Sequence, residues 1–340
     1  MSAKNAANKN ASVMEIPDTA TRLNIDFIGK RRIYYTISLT LIVLGFLVTL
    51  IFGAKLDIQF KGGAIITYTY TGTIDRDKAE SIAKSTLNVD DVIVQLNEDL
   101  ATHTKRVVFE LDRSFSETMQ QNLYTKLSAG LSSNNLKKYE SNEVSPEMGA
   151  QFFQQSILAV LLASAFIILY IWFRFRHIGG LPAGLTAFAA LVHDILMVFV
   201  AFSIFRIPIN DSFVAIVLTI LGYSINDTIV VYDRIRENRK LYGSKIHFKE
   251  IVNKSINQSF ARSINTSLVT FVSIAVVCAF SIVFHIDSIR NFALPMMVGV
   301  VTGCYSTICI AGPLWVTWVT HKEKQAEALS KNKKLKPKKA

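Results

Sequence analysis

The sequence predicts a polytopic α-helical membrane protein with six transmembrane helices and an extracytoplasmic α+β domain between helices 1 and 2. Three observations predict it. Half of the residues are hydrophobic (50%), and they gather into apolar runs close to the roughly 20 residues that cross a bilayer. Gly53 to Gln155 interrupts these runs with strand-like and helix-like patterns in a polar background. Lys and Arg cluster beside alternate ends of the runs, as the positive-inside rule requires.

In chain order, residues 1–32 form a tail and juxtamembrane segment. Met1 to Ala20 is rich in Asn, Ala, Lys and Ser and lacks periodic hydrophobicity, the composition of a disordered tail. Leu23, Ile25, Phe27 and Ile28 alternate with polar residues and predict a short piece lying on the cytoplasmic membrane face. The first span, 33–52, is longer than a signal-peptide core and follows a polar, partly basic stretch, so it is expected to remain as an anchor.

Residues 53–155 are the one soluble segment large enough for a domain. Ile58 to Tyr70 reads as extended, rich in β-branched and aromatic residues, and Asp75 to Ser85 as a helix with Ala79, Ile82 and Ala83 on one face. Strands are predicted at Asp91 to Leu96 and Arg106 to Leu111. A second helix, capped by Ser114 or Ser116, runs through Leu131 with Leu123, Leu127 and Leu131 in register, and a last strand covers Lys137 to Val144. Strand, helix, strand, strand, helix, strand is the split βαβ, ferredoxin-like order. His103 falls in a polar turn and reads as a solvated loop residue, and Lys61-Gly62-Gly63 reads as a bend.

Residues 156–319 carry the other five spans: Ser156 to Phe173, Leu181 to Phe205, Ser212 to Tyr232, Ile264 to Phe284 and Phe292 to Val319. Arg22, Lys30, Arg31 and Arg32 place the amino terminus in the cytoplasm, and alternation then places Arg174 to Gly180, the basic loop 233–262 and the lysine-rich tail 320–340 there too. The net charge of +11 is concentrated in these segments, which suits anionic lipid headgroups and argues against nucleic acid. Cys278, Cys304 and Cys309 fall inside spans without metal-ligand spacing and read as packing residues; no metal or cofactor is expected. Ala159, Ala163, Ser164, Gly299, Gly303 and Gly312 offer the small surfaces that let helices approach closely.

The chemistry is expected where ionisable residues sit inside apolar runs, because an ionised side chain at the bilayer centre costs at least a few kcal/mol and marks an ion or proton path by default. Asp227 is the first such residue. At 100° per residue, Tyr223 and Ser224 lie within about 60° of it on a helix, while Asn226 and Thr228 flank it at about 100°. His193 and Asp194 lie midway along span three and read either as part of that path or as a hydrogen-bonded knot that fixes packing. Arg262 abuts span five at a depth similar to that of Asp227. It is either the carboxylate's counter-ion, in which case separation would let Asp227 take a proton, or a snorkelling end residue.

Gly222-Tyr-Ser-Ile-Asn-Asp-Thr-Ile-Val-Val-Tyr-Asp-Arg-Ile-Arg-Glu237 resembles the long signature of the SecF family, membrane subunits of bacterial protein export. Val192-His193-Asp194 and Asn257-Gln258-Ser-Phe-Ala-Arg262-Ser-Ile-Asn-Thr-Ser267 are also similar to family motifs, and the resemblance extends over nearly the whole chain. It implies a multi-pass protein of the bacterial cytoplasmic membrane with both termini inside. The implied partner is SecD, in an assembly related to the resistance-nodulation-division transporters that works with the SecYEG channel after the SecA motor on a translocating preprotein. It further implies that Asp227 and Arg262 serve a proton relay driven by the proton-motive force, with Na⁺ as the alternative ion. The chain departs from the family at Asp57-Ile-Gln59-Phe60-Lys61-Gly62-Gly63, where Gln59 occupies the place of a family Asp.

Other readings remain open to test. A subunit that only stabilises its partners has no need of Asp227, although a structural ion pair would also explain it. Half of a small-molecule or lipid exporter fits the span count. An intramembrane aspartyl protease using Asp194 and Asp227 is opposed by Tyr223-Ser-Ile-Asn226, which lacks the Gly-x-Gly expected before such an aspartate. The chain is not expected to be an enzyme.

Overall fold

The computed structural model describes residues 24–89, 92–99, 104–111, 113, 115–243, 245–284 and 286–335. The tail Met1 to Ala20 with Arg22 and Leu23, the turn bearing His103, the candidate cap Ser114 and the last five residues of the lysine-rich tail lie outside the described residues.

Six helices are long and apolar enough to cross a membrane. They are α1 (Arg31–Phe52), α5 (Pro146–Arg174), α6 (Gly180–Ile204), α7 (Asp211–Tyr242), α8 (Phe248–Val283) and a sixth built from α9 (Asp287–Ser306), a π-helical turn (Thr307–Ala311) and α10 (Gly312–Leu335). Two of the starts are capped by a side chain. Ser145 Oγ accepts from Met148 N at 3.3 Å to open α5, and Asn210 Oδ1 accepts from Ser212 N at 3.1 Å to open α7. Gly243, with φ 57°, ends α7 in a left-handed conformation that glycine adopts without strain.

Between α1 and α5 stands a lobe made of the short α2 (Ile58–Lys61), β1 (Gly63–Tyr70), α3 (Arg76–Leu87), β2 (Val92–Asp99), β3 (Thr104–Leu111), α4 (Glu117–Gly130) and β4 (Lys137–Val144). The four strands form one antiparallel sheet in the order β2-β3-β1-β4, with Ile66 opposite Phe109 and Val94 opposite Phe109 on its other side. Alternate residues of the strands, among them Ile66, Tyr68, Val107, Phe109 and Leu111, face Ala79, Ala83, Leu123 and Leu127 of α3 and α4, closing a core separate from that of the membrane helices. Asp75 caps α3 through its side chain, whereas Ser116 precedes α4 without a side-chain bond.

The extended reading of Ile58 to Tyr70 needs correction at its start. Residues 58–61 form a helical turn, because Asp57 Oδ1 accepts from Gln59 N at 2.9 Å and its carbonyl accepts from Lys61 N at 3.2 Å. Gly62 (φ 81°) and Gly63 (φ 146°) then turn the chain into β1. The turn roots the lobe. Phe60 stacks on Phe152 at 5.6 Å and meets Phe153 edge-on at 5.4 Å, and Gly149 lets α5 come so close that a Cβ there would lie 2.9 Å from Phe60 O.

The membrane helices are unequally buried. α6 lies among its neighbours with most of its inner side covered, while α1 buries only Ser38 and Gly45, with Gly45 against Val200 of α6. The predicted basic loop 233–262 is largely helical: α7 extends through it to Tyr242 and α8 begins in it at Phe248. Asn238 Nδ2 donates to Ser255 Oγ and to Gln258 Oε1, both at 2.8 Å, and Arg234 Nε donates to Gln258 Oε1 at 2.7 Å. The segment expected on the membrane face also docks inward. Phe27 and Ile28 are buried, and Asn253 and Asn257 of α8 hold the backbone of Ile25, Phe27 and Ile28 by hydrogen bonds of 2.8–3.3 Å.

Candidate functional site

Two aspartates lie inside the helix bundle in different surroundings. Asp194 of α6 is fully buried, at 0% exposure. Its Oδ1 lies 3.1 Å from Nδ1 of His193, and its Oδ2 accepts from Ser224 Oγ of α7 and Ser306 Oγ of α9, each at 2.7 Å. One carboxylate thereby ties together three helices, since a carboxylate accepts several bonds at once. The π-helical turn begins directly after Ser306. Thr307 Oγ1 lies 2.9 Å from Thr228 Oγ1, and Thr228 Oγ1 is 3.1 Å from the carbonyl of Ser224. Such turns are frequent at functional sites because they swing side chains out of the ordinary helical register.

Asp227, one turn along α7, faces α8. Its Oδ1 accepts from Ser263 Oγ at 2.6 Å. Its Oδ2 is buried and has no hydrogen-bond partner. Both oxygens of Asp194 are thus engaged, while Asp227 keeps one free acceptor oxygen, the atom on which a carboxylate takes up a proton or a cation. Tyr223, on the same side of α7, donates to Ser267 Oγ at 2.9 Å.

The other expected residues divide. His193, Asp194, Ser224 and Thr228 come together around the Asp194 carboxylate, and Tyr223 and Asp227 line the α7–α8 contact. Arg262 and Asn226 are exposed; neither oxygen of Asp227 takes a hydrogen bond from Arg262, whose charge nonetheless acts on that carboxylate from nearby. The neighbour that does reach Asp227 is Ser263, which with Ser267 lies in the motif running from Asn257 but carried no role of its own in the sequence, while Ser306 and Thr307 were not singled out there at all. Tyr305 is a further addition. Its ring lies 6.0 Å from that of His193, and its hydroxyl accepts from Ser38 Oγ at 3.2 Å and donates to Tyr34 O at 2.7 Å, linking the cluster to α1. Among the described residues no group of three or more His, Cys, Asp or Glu side chains is placed to hold a metal ion.

Small residues set the spacing of this cluster. A Cβ on Gly299 of α9 would lie 2.6 Å from Cγ1 and Cδ1 of Ile220, and one on Gly303 would lie 3.2 Å from Cβ of Ser224. Gly299→Val is expected to destabilise the protein by about 1–3 kcal/mol through overpacking. Gly222→Ala, at a helical position with nothing within 4 Å, is expected to be neutral or to stabilise by up to about 1 kcal/mol. Thermal unfolding of the two variants side by side checks the pair, and equal losses would refute the close α7–α9 contact.

Comparison with known proteins places these features. Residues 123–321 match the family described as "Protein export membrane protein SecD/SecF, C-terminal". The SecF translocase subunit of Calditerrivibrio nitroreducens is 32% identical over 295 residues, covering 86% of this chain and 93% of that protein, and that of Petrotoga mobilis is 33% identical over 312 residues, covering 90% and 99%. SecDF of Bacillus subtilis is 33% identical over 86% of this chain, which spans only 38% of that longer protein. The crystal structure of SecDF from Thermus thermophilus superposes with a TM-score of 0.71 at 29% identity, over 88% of this chain and 39% of that one. With its six apolar helices, its family match and relatives similar along nearly their whole length, the chain is a multi-pass membrane protein that belongs to the SecD/SecF family of protein-export membrane proteins.

Proposed function

We propose that the chain is the SecF-type subunit of a proton-driven export assembly in the bacterial cytoplasmic membrane, where it pairs with a SecD-type partner and assists late polypeptide translocation beside the SecYEG channel and downstream of the SecA motor. The observation that carries this reading is the buried, unpartnered Oδ2 of Asp227 inside a membrane-spanning helix. An acceptor left open at that depth costs a few kcal/mol, a cost that a passive scaffold has no reason to bear. Protonation of Asp227 removes the buried charge and changes what α7 and α8 present to each other. The lobe, with the strand and helix order of a ferredoxin-like domain, stands outside the cytoplasm in this reading and holds or pulls the emerging preprotein.

Exposure of Arg262 and Asn226 supports the pairing. A guanidinium and an amide at membrane depth are costly against lipid and suit a polar partner helix. Na⁺ in place of H⁺ is the variant of this mechanism that the same oxygen allows.

Precursor translocation into inverted membrane vesicles, with and without a proton gradient, tests the proposal. With Asp227→Asn at matched expression, the gradient-stimulated fraction is expected to vanish while the assembly still forms. Stimulation that persists unchanged would leave a stabilising subunit as the better description.

A further inference from the structure

The root of the lobe holds two carboxyl groups that the transport reading does not use. Asp57 lies in the linker between α1 and α2, and Glu110 projects from β3 on the sheet face opposite the lobe core. They are only 2% and 6% exposed, and their carboxyl groups are in hydrogen-bonding contact. Around them, Gln59 N donates to Asp57 Oδ1 at 2.9 Å and Gln95 Nε2 donates to Glu110 Oε1 at 2.6 Å. The Asn210 side chain also reaches Asp57. Two charges act from nearby elements: Asp211, at the start of α7, repels Asp57, and Lys61, on α2, attracts Glu110. The Lys61 side chain is exposed. Glu110 Oε2 is buried and receives no bond from any amide or hydroxyl.

We propose that Asp57 and Glu110 form a proton-binding site, in which one proton is shared between the two carboxyl groups and its loss loosens the lobe from the membrane helices. Two facing carboxylates are both acceptors, and like charges at contact distance in a buried setting do not both ionise. A shared proton converts the contact into a donor–acceptor pair and supplies the partner that Oε2 lacks.

Position gives the proton its leverage. Glu110 belongs to the lobe. Asp57 belongs to a linker stitched to the α6–α7 connection, with Asp57 N donating to Ile209 O at 3.1 Å and Ile209 N to Lys55 O at 2.8 Å. Burial, and then the neighbouring Asp57, push Glu110 from its ordinary 4.5 up to about 9, and burial raises Asp57 as well. The seated lobe thus keeps a proton that a solvated glutamate would release above pH 4.5. Seating is strongest at acid pH and weakens as pH rises toward 9, by up to roughly tenfold in the opening equilibrium per pH unit. In the transport reading this site samples the outer medium, but its existence does not depend on Asp227 carrying ions.

The test uses the full chain in lipid nanodiscs, as native protein, Glu110→Gln and Asp57→Asn. Infrared difference spectra at neutral pH are expected to show the carbonyl band of a neutral carboxylic acid in the native protein minus Glu110→Gln, a band to which Asp194 and Asp227 contribute nothing. Amide hydrogen exchange over residues 55–61, taken as the ratio of native to Glu110→Gln at each pH so that intrinsic exchange cancels, is expected to rise at least tenfold from acid to alkaline pH. In Asp57→Asn the transition moves to lower pH, because the repelling charge is gone. A missing band, or a ratio that stays flat with pH, overturns the proposal. So does protection that follows Na⁺ when choline replaces it, which would make the pair a sodium site. Failure of gradient-stimulated export with Asp227→Asn leaves these readouts unmoved.

Discussion

Asp194→Ala is expected to lower the stability of the isolated protein by about 3–5 kcal/mol, the cost of removing one member of a buried charged or hydrogen-bonded cluster and stranding the rest. The alanine leaves the hydroxyls of Ser224 and Ser306 and Nδ1 of His193 facing a site that water does not reach, since all four residues are at most 7% exposed. It also removes the hydrogen bonds that join α6 to α7 and α9 at this point. Asp227→Asn behaves differently. Its amide oxygen still accepts from Ser263, so its cost is expected to stay within about 1 kcal/mol. Denaturation of both variants in the same detergent or nanodisc separates a carboxylate that holds the bundle from one that does not, and equal losses would sink the distinction.

Phe60→Ala is expected to be nearly as severe, at about 3–5 kcal/mol for a buried phenylalanine, but its effect falls on the attachment of the lobe. Phe60 is 7% exposed and lies against Phe152 and Phe153 on α5. The lobe has its own core, so removal of this ring loosens the lobe from the helices without unfolding its sheet. Limited proteolysis over residues 53–62 is the measurement: cleavage there should rise at least tenfold while the sheet stays protected. Unchanged protection would show that the lobe is held by other contacts, such as Asp287 Oδ2, which accepts from Leu96 N at 2.9 Å.

The spans were legible because about 20 apolar residues leave a helix few alternatives in a membrane. Their ends were not. Phe248–Ser263 and Asp233–Tyr242 are helical yet polar, so hydropathy stops where the bilayer does while the helices continue and pair through Asn238 and Gln258. The turn at Ile58–Lys61 was missed for a different reason. Its β-branched and aromatic residues favour a strand, and only Asp57, folding its carboxylate back onto Gln59, overrides them.

Within the site, Asp194 and Asp227 announce themselves because carboxylates are rare in apolar runs. Ser263 and Ser306 carry no such signal. Serine is an ordinary small residue at helix contacts, and its role emerges only when 36 and 112 positions of separation collapse to 2.6 and 2.7 Å. Arg262 shows the converse. Its depth along the chain was readable, but its side of α8 follows from the packing of Ser263 inward.

Among the described residues β4 pairs only with β1, which leaves its other edge free. Membrane proteins diffuse in two dimensions with their extramembrane parts at one height, so identical lobes meet far more often, and more nearly aligned, than they would in free solution. An open strand in that setting is a template for lobe-to-lobe zippering. Lys137, Lys138, Glu140 and Glu143 put both signs of charge along β4, and all four are exposed. A second β4 laid against this one would have to strip water from these charged side chains, the device by which natural edge strands resist pairing. The charge on this one strand thereby opposes, through the cost of desolvation, the lobe-to-lobe pairing that a crowded membrane would favour.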